Sequence, residues 1–129
     1  RGSRVIPLQV AGAFHTRYMA PAVETLRAAA AEVAASDPSL TLWSNRDGGT
    51  VTDGRAALDL LVAQVANPVR WDLCMASFAE SGVTGIIELA PAGTLVGLAK
   101  RGLRGVPSVA VKTPEDLAAA NALLTGENA

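Results

Sequence analysis

Val83-Thr84-Gly85-Ile86-Ile87-Glu88-Leu89, then Ala90-Pro91-Ala92-Gly93, then a helical run over residues 94–101, is the stretch that decides the fold. The first segment is apolar and β-branched with little alternation, which is how a strand covered on both faces reads, so it is expected deep in a parallel sheet. Proline and glycine break it. A strand that passes through a short turn into a helix is the unit of a layered α/β fold. Downstream, residues 106–111 read as another strand. Thr113-Pro114-Glu115-Asp116 then opens a last helix over 114–124, with a capping threonine, proline at the first helical position and acids in the first turn. Upstream, a helix over 69–80 is closed by Gly82, and Asn67-Pro68 separates it from a helix over 55–66. Asp53 caps that helix, and Leu58, Leu61, Val62 and Val65 form its inner face.

The N-terminal half continues the alternation. Residues 40–43 form a short strand, Ser44 to Gly49 are turn chemistry, and residues 50–52 return as a hairpin arm. Before them, Met19, Val23, Leu26, Ala30 and Val33 recur at helical spacing and define a helix over 18–35, with Pro21 in its first turn and Asp37-Pro38 at its end. Residues 5–10 read as a strand, with Pro7 favouring an edge or a strand start. Residues 12–16 turn from that strand into the first helix. The fold class is α/β, without internal repeats or a low-complexity linker.

Composition narrows the function classes. The chain has 129 residues, half of them apolar and 18% charged, with a formal net charge of -1. That balance supports a buried core in one domain, or a piece of a larger one, and argues against disorder and against nucleic acid as the main partner. Cys74 is the sole cysteine, so no internal disulfide forms, and a reduced, cytoplasmic setting is the simple reading. No apolar run reaches the roughly 18 residues of a membrane helix, and no signal-peptide pattern is present. The chain starts with Arg1-Gly2-Ser3-Arg4 and enters a strand-like segment almost at once, as a cut protein would.

His15 is the single histidine and lies where a strand gives way to a helix. Ligands of open α/β folds gather at the carboxyl ends of strands. A neutral imidazole there can act as general base; the plainer reading is a partly buried histidine bonded to a backbone carbonyl. The nucleophile such a base would serve is missing. No serine, at 3, 36, 39, 44, 77, 81 or 108, stands in a Gly-x-Ser-x-Gly frame. Cys74 lies in an apolar helix pattern, which favours an inert thiol. No His, Cys and acid cluster has metal-ligand spacing. Gly93, Gly97 and Gly102 are read as close-packing positions rather than a phosphate loop. Lys100, Arg101 and Arg104 are a small basic cluster, a solvated face or a contact for an acidic protein. In Asn67-Pro68-Val69-Arg70-Trp71, Trp71 is placed in a core, and the helix end before it can offer a carbonyl to a neighbour.

Val10-Ala11-Gly12-Ala13-Phe14-His15-Thr16, followed by Met19-Ala20-Pro21, resembles the histidine motif of bacterial malonyl-CoA:acyl-carrier-protein transacylases. Ser44-Asn45-x-Asp47-Gly48, then Gln64-x-x-Asn67-Pro68-Val69-Arg70-Trp71, then Glu88-x-x-Pro91-x-Gly93-Thr94-Leu95-x-Gly97-Leu98-x-Lys100-Arg101, resemble the family's next landmarks, in its order and across nearly the whole chain. Pro91-Ala92 stands where the family usually has Pro-Gly, a conservative change in a turn.

The resemblance implies that residues 1–129 are the C-terminal part of the acyltransferase large subdomain, which is α/β-hydrolase-like, with the ferredoxin-like insert and the N-terminal half absent. It implies a Ser/His ping-pong transfer of malonyl from malonyl-CoA to the phosphopantetheine thiol of acyl carrier protein, for fatty acid biosynthesis. It makes His15 the base, Gln64 the residue whose backbone carbonyl orients it, and Phe14 a specificity residue favouring malonyl over methylmalonyl. A hydrophobic pocket discriminates one methyl by roughly 10–200-fold, so Phe14 is not expected to act alone. The implied partners are malonyl-CoA, acyl carrier protein and the rest of the enzyme, with no cofactor, metal, nucleic acid or membrane. The serine, the oxyanion donors and the arginine for the malonyl carboxylate would lie outside this chain, which is expected to be inactive alone and to leave open sheet edges. Two other readings stand beside it: an acyltransferase domain of a polyketide or multienzyme fatty acid synthase, and a non-catalytic α/β domain that binds a partner such as a carrier protein.

Overall fold

A computed structural model describes Gly2 and residues 10–127. The architecture is mixed α/β, in two compact units, Arg1–Arg70 and Trp71–Ala129.

The first unit opens on a 3-10 turn, Arg17–Met19, that runs into α1, Ala20–Ala31. A hairpin follows, β1 (Leu42–Trp43) against β2 (Thr50–Val51), and then α2, Gly54–Gln64. Asp53 caps α2 by accepting the N–H of Ala56 at 2.6 Å. Asp37 accepts the N–H of Gly54 at 2.9 Å. Gly54 is fixed by space: an added Cβ would strike the carbonyl oxygen of Ser36. Val62, fully buried, and Ala30 are the core of this unit, where α1 lies on α2.

Here the structure corrects two expectations. The first helix stops at Ala31 instead of continuing to 35, and Val33 is 53% exposed. The backbone of Ser36 and the carboxylate of Asp37 are engaged at the start of α2 instead, and that tertiary contact wins over helix continuation. Leu61, expected on the inner face, is 63% exposed; the inward line is Gly54, Leu58, Val62 and Val65. The strand read at residues 5–10 lies, but for Val10, outside the described residues.

The second unit runs α3 (Trp71–Glu80), β3 (Ile86–Leu89), α4 (Thr94–Gly102), β4 (Ser108–Val111), a 3-10 turn at Pro114–Asp116, and α5 (Leu117–Thr125). Gly82, at φ +67°, ends α3: its N–H reaches Ala79 O while Val83 N–H reaches back to Phe78 O, a double closure of the last turn. β3 and β4 pair in parallel, Ile86 opposite Ser108 through Leu89 opposite Val111. Cys74, Val96, Ala99, Leu103, Val111 and Ala120 form the core. Trp71 meets Phe78 edge-on at 5.7 Å.

The parallel pairing is as expected; the expected depth is not found. Leu89 is 71% exposed, and the best covered residue of β3 is Glu88. A parallel strand becomes two-sided core only between neighbours on both edges, and among the described residues β3 has one. The three glycines also separate. Gly102 is a packing position, where a Cβ would come 2.7 Å from the sulfur of Met75. Gly97 faces open space. Gly93 is a conformational requirement, at φ +124°.

Candidate active site

The site begins with the way α2 ends. Pro68 has no N–H, so the carbonyl of Gln64, four residues earlier, lacks its α-helical donor. The side chains around it close the rest of the helix end. Gln64, 6% exposed, donates Nε2–H bonds to Asn67 O at 3.0 Å and Pro68 O at 2.9 Å, and Asn67 donates to Ala63 O at 2.6 Å. The N–H of Asn67 reaches Gln64 O at a long 3.2 Å. The carbonyls of Gln64 and Val65 both meet another segment, at His15. The His15 N–H donates to Val65 O at 2.8 Å, and its Nδ1 lies 2.8 Å from Gln64 O.

A carbonyl only accepts, so this contact requires the proton on Nδ1. In the neutral ring the other nitrogen, Nε2, then carries the lone pair. The ring is exposed, so that lone pair can be reached from outside. The backbone at His15 is held at φ +63°, an uncommon region for any residue but glycine, and one that concentrates at functional sites.

Phe14, half exposed, folds back over Gly12. A Cβ on Gly12 would lie 3.3 Å from Cε2 of that ring and 3.8 Å from the sulfur of Met19. Gly12 thus makes room for Phe14, a role the motif alone did not disclose. The same is true of Asn67, which was legible as a helix breaker and not as the donor to Ala63.

Next to this helix end, Arg46, Leu60, Gln64, Pro68 and Arg70 are among the residues lining a cavity of about 360 Å³. A larger groove, about 660 Å³, runs along α2 and the hairpin past Ser44, Asp47, Asp53 and Asp59, and does not include His15. Arg46 bonds Asp47 there and, with the Gly49 N–H, holds that carboxyl below its usual range. Asn45 O accepts the Arg70 N–H at 2.8 Å, tying the hairpin loop to the segment after Pro68.

The second unit, taken by itself, holds a carboxylate not singled out as a site residue. Glu88, at the carboxyl end of β3 and 8% exposed, accepts N–H bonds from Gly93 at 2.8 Å, Leu95 at 3.0 Å and Val96 at 2.9 Å. Burial alone raises its carboxyl. The donors Val96, Gly93 and Leu95, with the charge of Lys112, outweigh that, and Glu88 titrates below the ordinary glutamate range. It was readable as an acid just ahead of a helix start. Lys100, Arg101 and Arg104 are exposed. Among the described residues no group of three His, Cys, Asp or Glu could hold a metal, and no helix is long and apolar enough to cross a membrane.

No family model matches the chain. Individual proteins do. A malonyl CoA-acyl carrier protein transacylase of Mycobacterium tuberculosis is 60% identical over 115 residues, 89% of this chain and 38% of that protein. The crystal structure of MCAT from M. tuberculosis superposes with a TM-score of 0.78 at 61% identity, over 85% of this chain and 36% of that one. A malonyl-transacylase solved with a type II PKS acyl-carrier protein superposes at 0.78 with 30% identity, over 89% and 37%. The chain spans about 38% of the length of the first of these curated relatives. Over that span, sequence and backbone agree together, and the chain is similar to the matching stretch of the malonyl-CoA:acyl-carrier-protein transacylases.

Proposed function

We propose that this chain is the C-terminal part of the large, α/β-hydrolase-like subdomain of an acyl-carrier-protein S-malonyltransferase, and that it supplies the enzyme's general base, His15. The observation that carries the reading is the 2.8 Å contact between His15 Nδ1 and the carbonyl of Gln64, which leaves Nε2 as the proton acceptor. The nucleophile is a serine from the part of the relatives' length that this chain does not span.

The serine oxygen attacks the thioester carbonyl of malonyl-CoA while Nε2 of His15 takes its proton. The C–S bond breaks, Nε2 returns the proton to the departing thiolate of coenzyme A, and malonyl stays on the serine as an ester. In the second half, Nε2 takes the proton of the phosphopantetheine thiol of acyl carrier protein. The thiolate attacks the ester, and the serine leaves with that proton. Nothing is oxidised or reduced, and the chain's own residues need no cofactor for these steps. Gln64 acts through its backbone: its carbonyl fixes the tautomer and the direction of the ring. Phe14, next to the base in sequence, contributes to acyl choice through the volume of its ring and does not act alone.

The test exchanges this chain for the matching stretch of the M. tuberculosis transacylase and follows malonyl transfer from coenzyme A to carrier protein. His15→Ala in that folded enzyme is expected to lower the rate on the order of 10³-fold or more. An unchanged rate would remove His15 from the chemistry.

A further inference from the structure

The geometry points to Thr16 as a positioning residue for His15, acting through the backbone that carries the ring. Its hydroxyl donates to Ala13 O at 2.7 Å, which closes a loop over Phe14 and His15. The same oxygen accepts the N–H of Tyr18 at 3.3 Å and so caps the 3-10 turn, and Thr16 O accepts the Met19 N–H at 3.0 Å. One side chain therefore grips the chain before and after His15.

That grip matters because of what lies between. His15 is at φ +63°, a conformation that is unfavourable for a non-glycine residue and persists only where its surroundings hold it. From the far side it is held by the carbonyls of Gln64 and Val65. From its own side the brace is the Thr16 hydroxyl. Without it, the backbone is free to relax toward negative φ, which turns the ring away from Gln64 and carries Nε2 with it. Thr16 is exposed, so its removal leaves no hole in a core.

This inference rests on the reading of His15 as the base, and the experiment keeps the two apart. In the exchanged enzyme, Thr16→Val preserves shape and deletes the hydroxyl, while Thr16→Ser keeps the hydroxyl. A misplacement of about 1 Å in a reacting group lowers rates on the order of 10²-fold. The valine variant is expected to lose about 10- to 100-fold in kcat, by the same principle, with KM little changed and the serine variant close to the parent. The chain itself gives a second readout: it has a single histidine, so its imidazole nitrogens are resolved by NMR. With the ring neutral, the parent and Thr16→Ser should show the Nδ1–H tautomer, and Thr16→Val a mixture.

A valine variant as fast as the parent with an unchanged tautomer overturns the proposal. So does an equal loss in both variants, which would trace the effect to something other than the hydroxyl. If His15→Ala leaves the rate intact, the general-base reading fails instead, and the tautomer measurement still decides whether Thr16 holds the ring.

Discussion

Every helix end leaves backbone groups that the helix itself cannot satisfy, and two such ends, one in each unit of this chain, are closed in opposite ways. At the start of α4 the N–H groups of Gly93, Leu95 and Val96 converge on Glu88, at most eight residues away in sequence. At the end of α2 the carbonyls of Gln64 and Val65 converge on His15, and the Gln64 contact spans 49 residues. The first closure is local, uses a carboxylate that is charged at neutral pH, and is buried. The second is distant, uses a neutral ring that can take up a proton, and faces solvent. The physics of orphaned groups is the same in both. A helix end finished by a buried carboxylate gains stability, whereas one finished by an imidazole also holds that ring in one tautomer and one direction. The strained φ of His15 belongs with the second kind: it is tolerated because the end of α2 holds it.

The comparison breaks most directly at Pro68. Pro68→Ala gives α2 an N–H four residues after Gln64, in competition with the imidazole for the same carbonyl. Transfer by the exchanged enzyme should fall about tenfold, roughly 1.4 kcal/mol in the barrier. Denaturation of the same variant should show stability kept or raised, because alanine favours the helix that proline ends. A rate held at the parental level, with the helix extended through position 68, would mean that the Gln64 carbonyl is not what keeps the base in register.

At the other helix end the expected change is in stability and its pH dependence. Glu88 has a lowered pKa in the folded chain. Its contribution is therefore fully present above the unfolded value, near 4.5, and is lost as pH falls through the folded value below it. Glu88→Gln cannot replace an ion that accepts three N–H bonds, so its midpoint in urea should drop at neutral pH. The difference from the parent should shrink as pH falls below 4.5. Glu115 and Asp116 are lowered too, so some acid sensitivity survives in the variant. A constant gap between parent and variant from neutral to acid pH would show that the Glu88 charge plays no part.

How much of this was legible in the sequence follows from the same contrast of local and distant causes. The cap at Asp53, the helix start at Thr113 to Asp116, the hairpin between Trp43 and Thr50, and the strand–turn–helix at Leu89 to Thr94 are set by neighbours within a few residues, and pattern and turn chemistry found them. The end of α1 is set by Ser36 and Asp37 gripping Gly54, so periodicity overran it. The exposure of Leu61 and Leu89 depends on which neighbours are present, which no window of sequence contains. At the site, Asn67-Pro68 showed that a helix end could offer a carbonyl. That its partner is His15 came from the family resemblance, because nothing in the spacing of 15 and 64 requires it. The Thr16 brace and the space beside Gly12 are facts of conformation, and the motif that contains them names the residues without their tasks.

The smallest expected effects separate the units once more, through two glycines that look alike in sequence, each at one end of a helix. At Gly54 an added methyl meets the backbone carbonyl of Ser36, which the Asp37 bond to Gly54 holds in place. Backbone on both sides has nowhere to go, and overpacking of that kind costs about 1–3 kcal/mol. At Gly102 the methyl meets the end of Met75, 2.7 Å from sulfur and 2.9 Å from Cε, and a thioether on a flexible stem can swing aside. Alanine also gains about 0.5–1 kcal/mol over glycine in a helix, which offsets much of that adjustment. Gly54→Ala should therefore lower the urea midpoint clearly, and Gly102→Ala should leave it nearly unmoved. Equal losses would mean that Met75 is wedged as firmly as a main chain, and that the core between α3 and α4 has no slack for a single methyl.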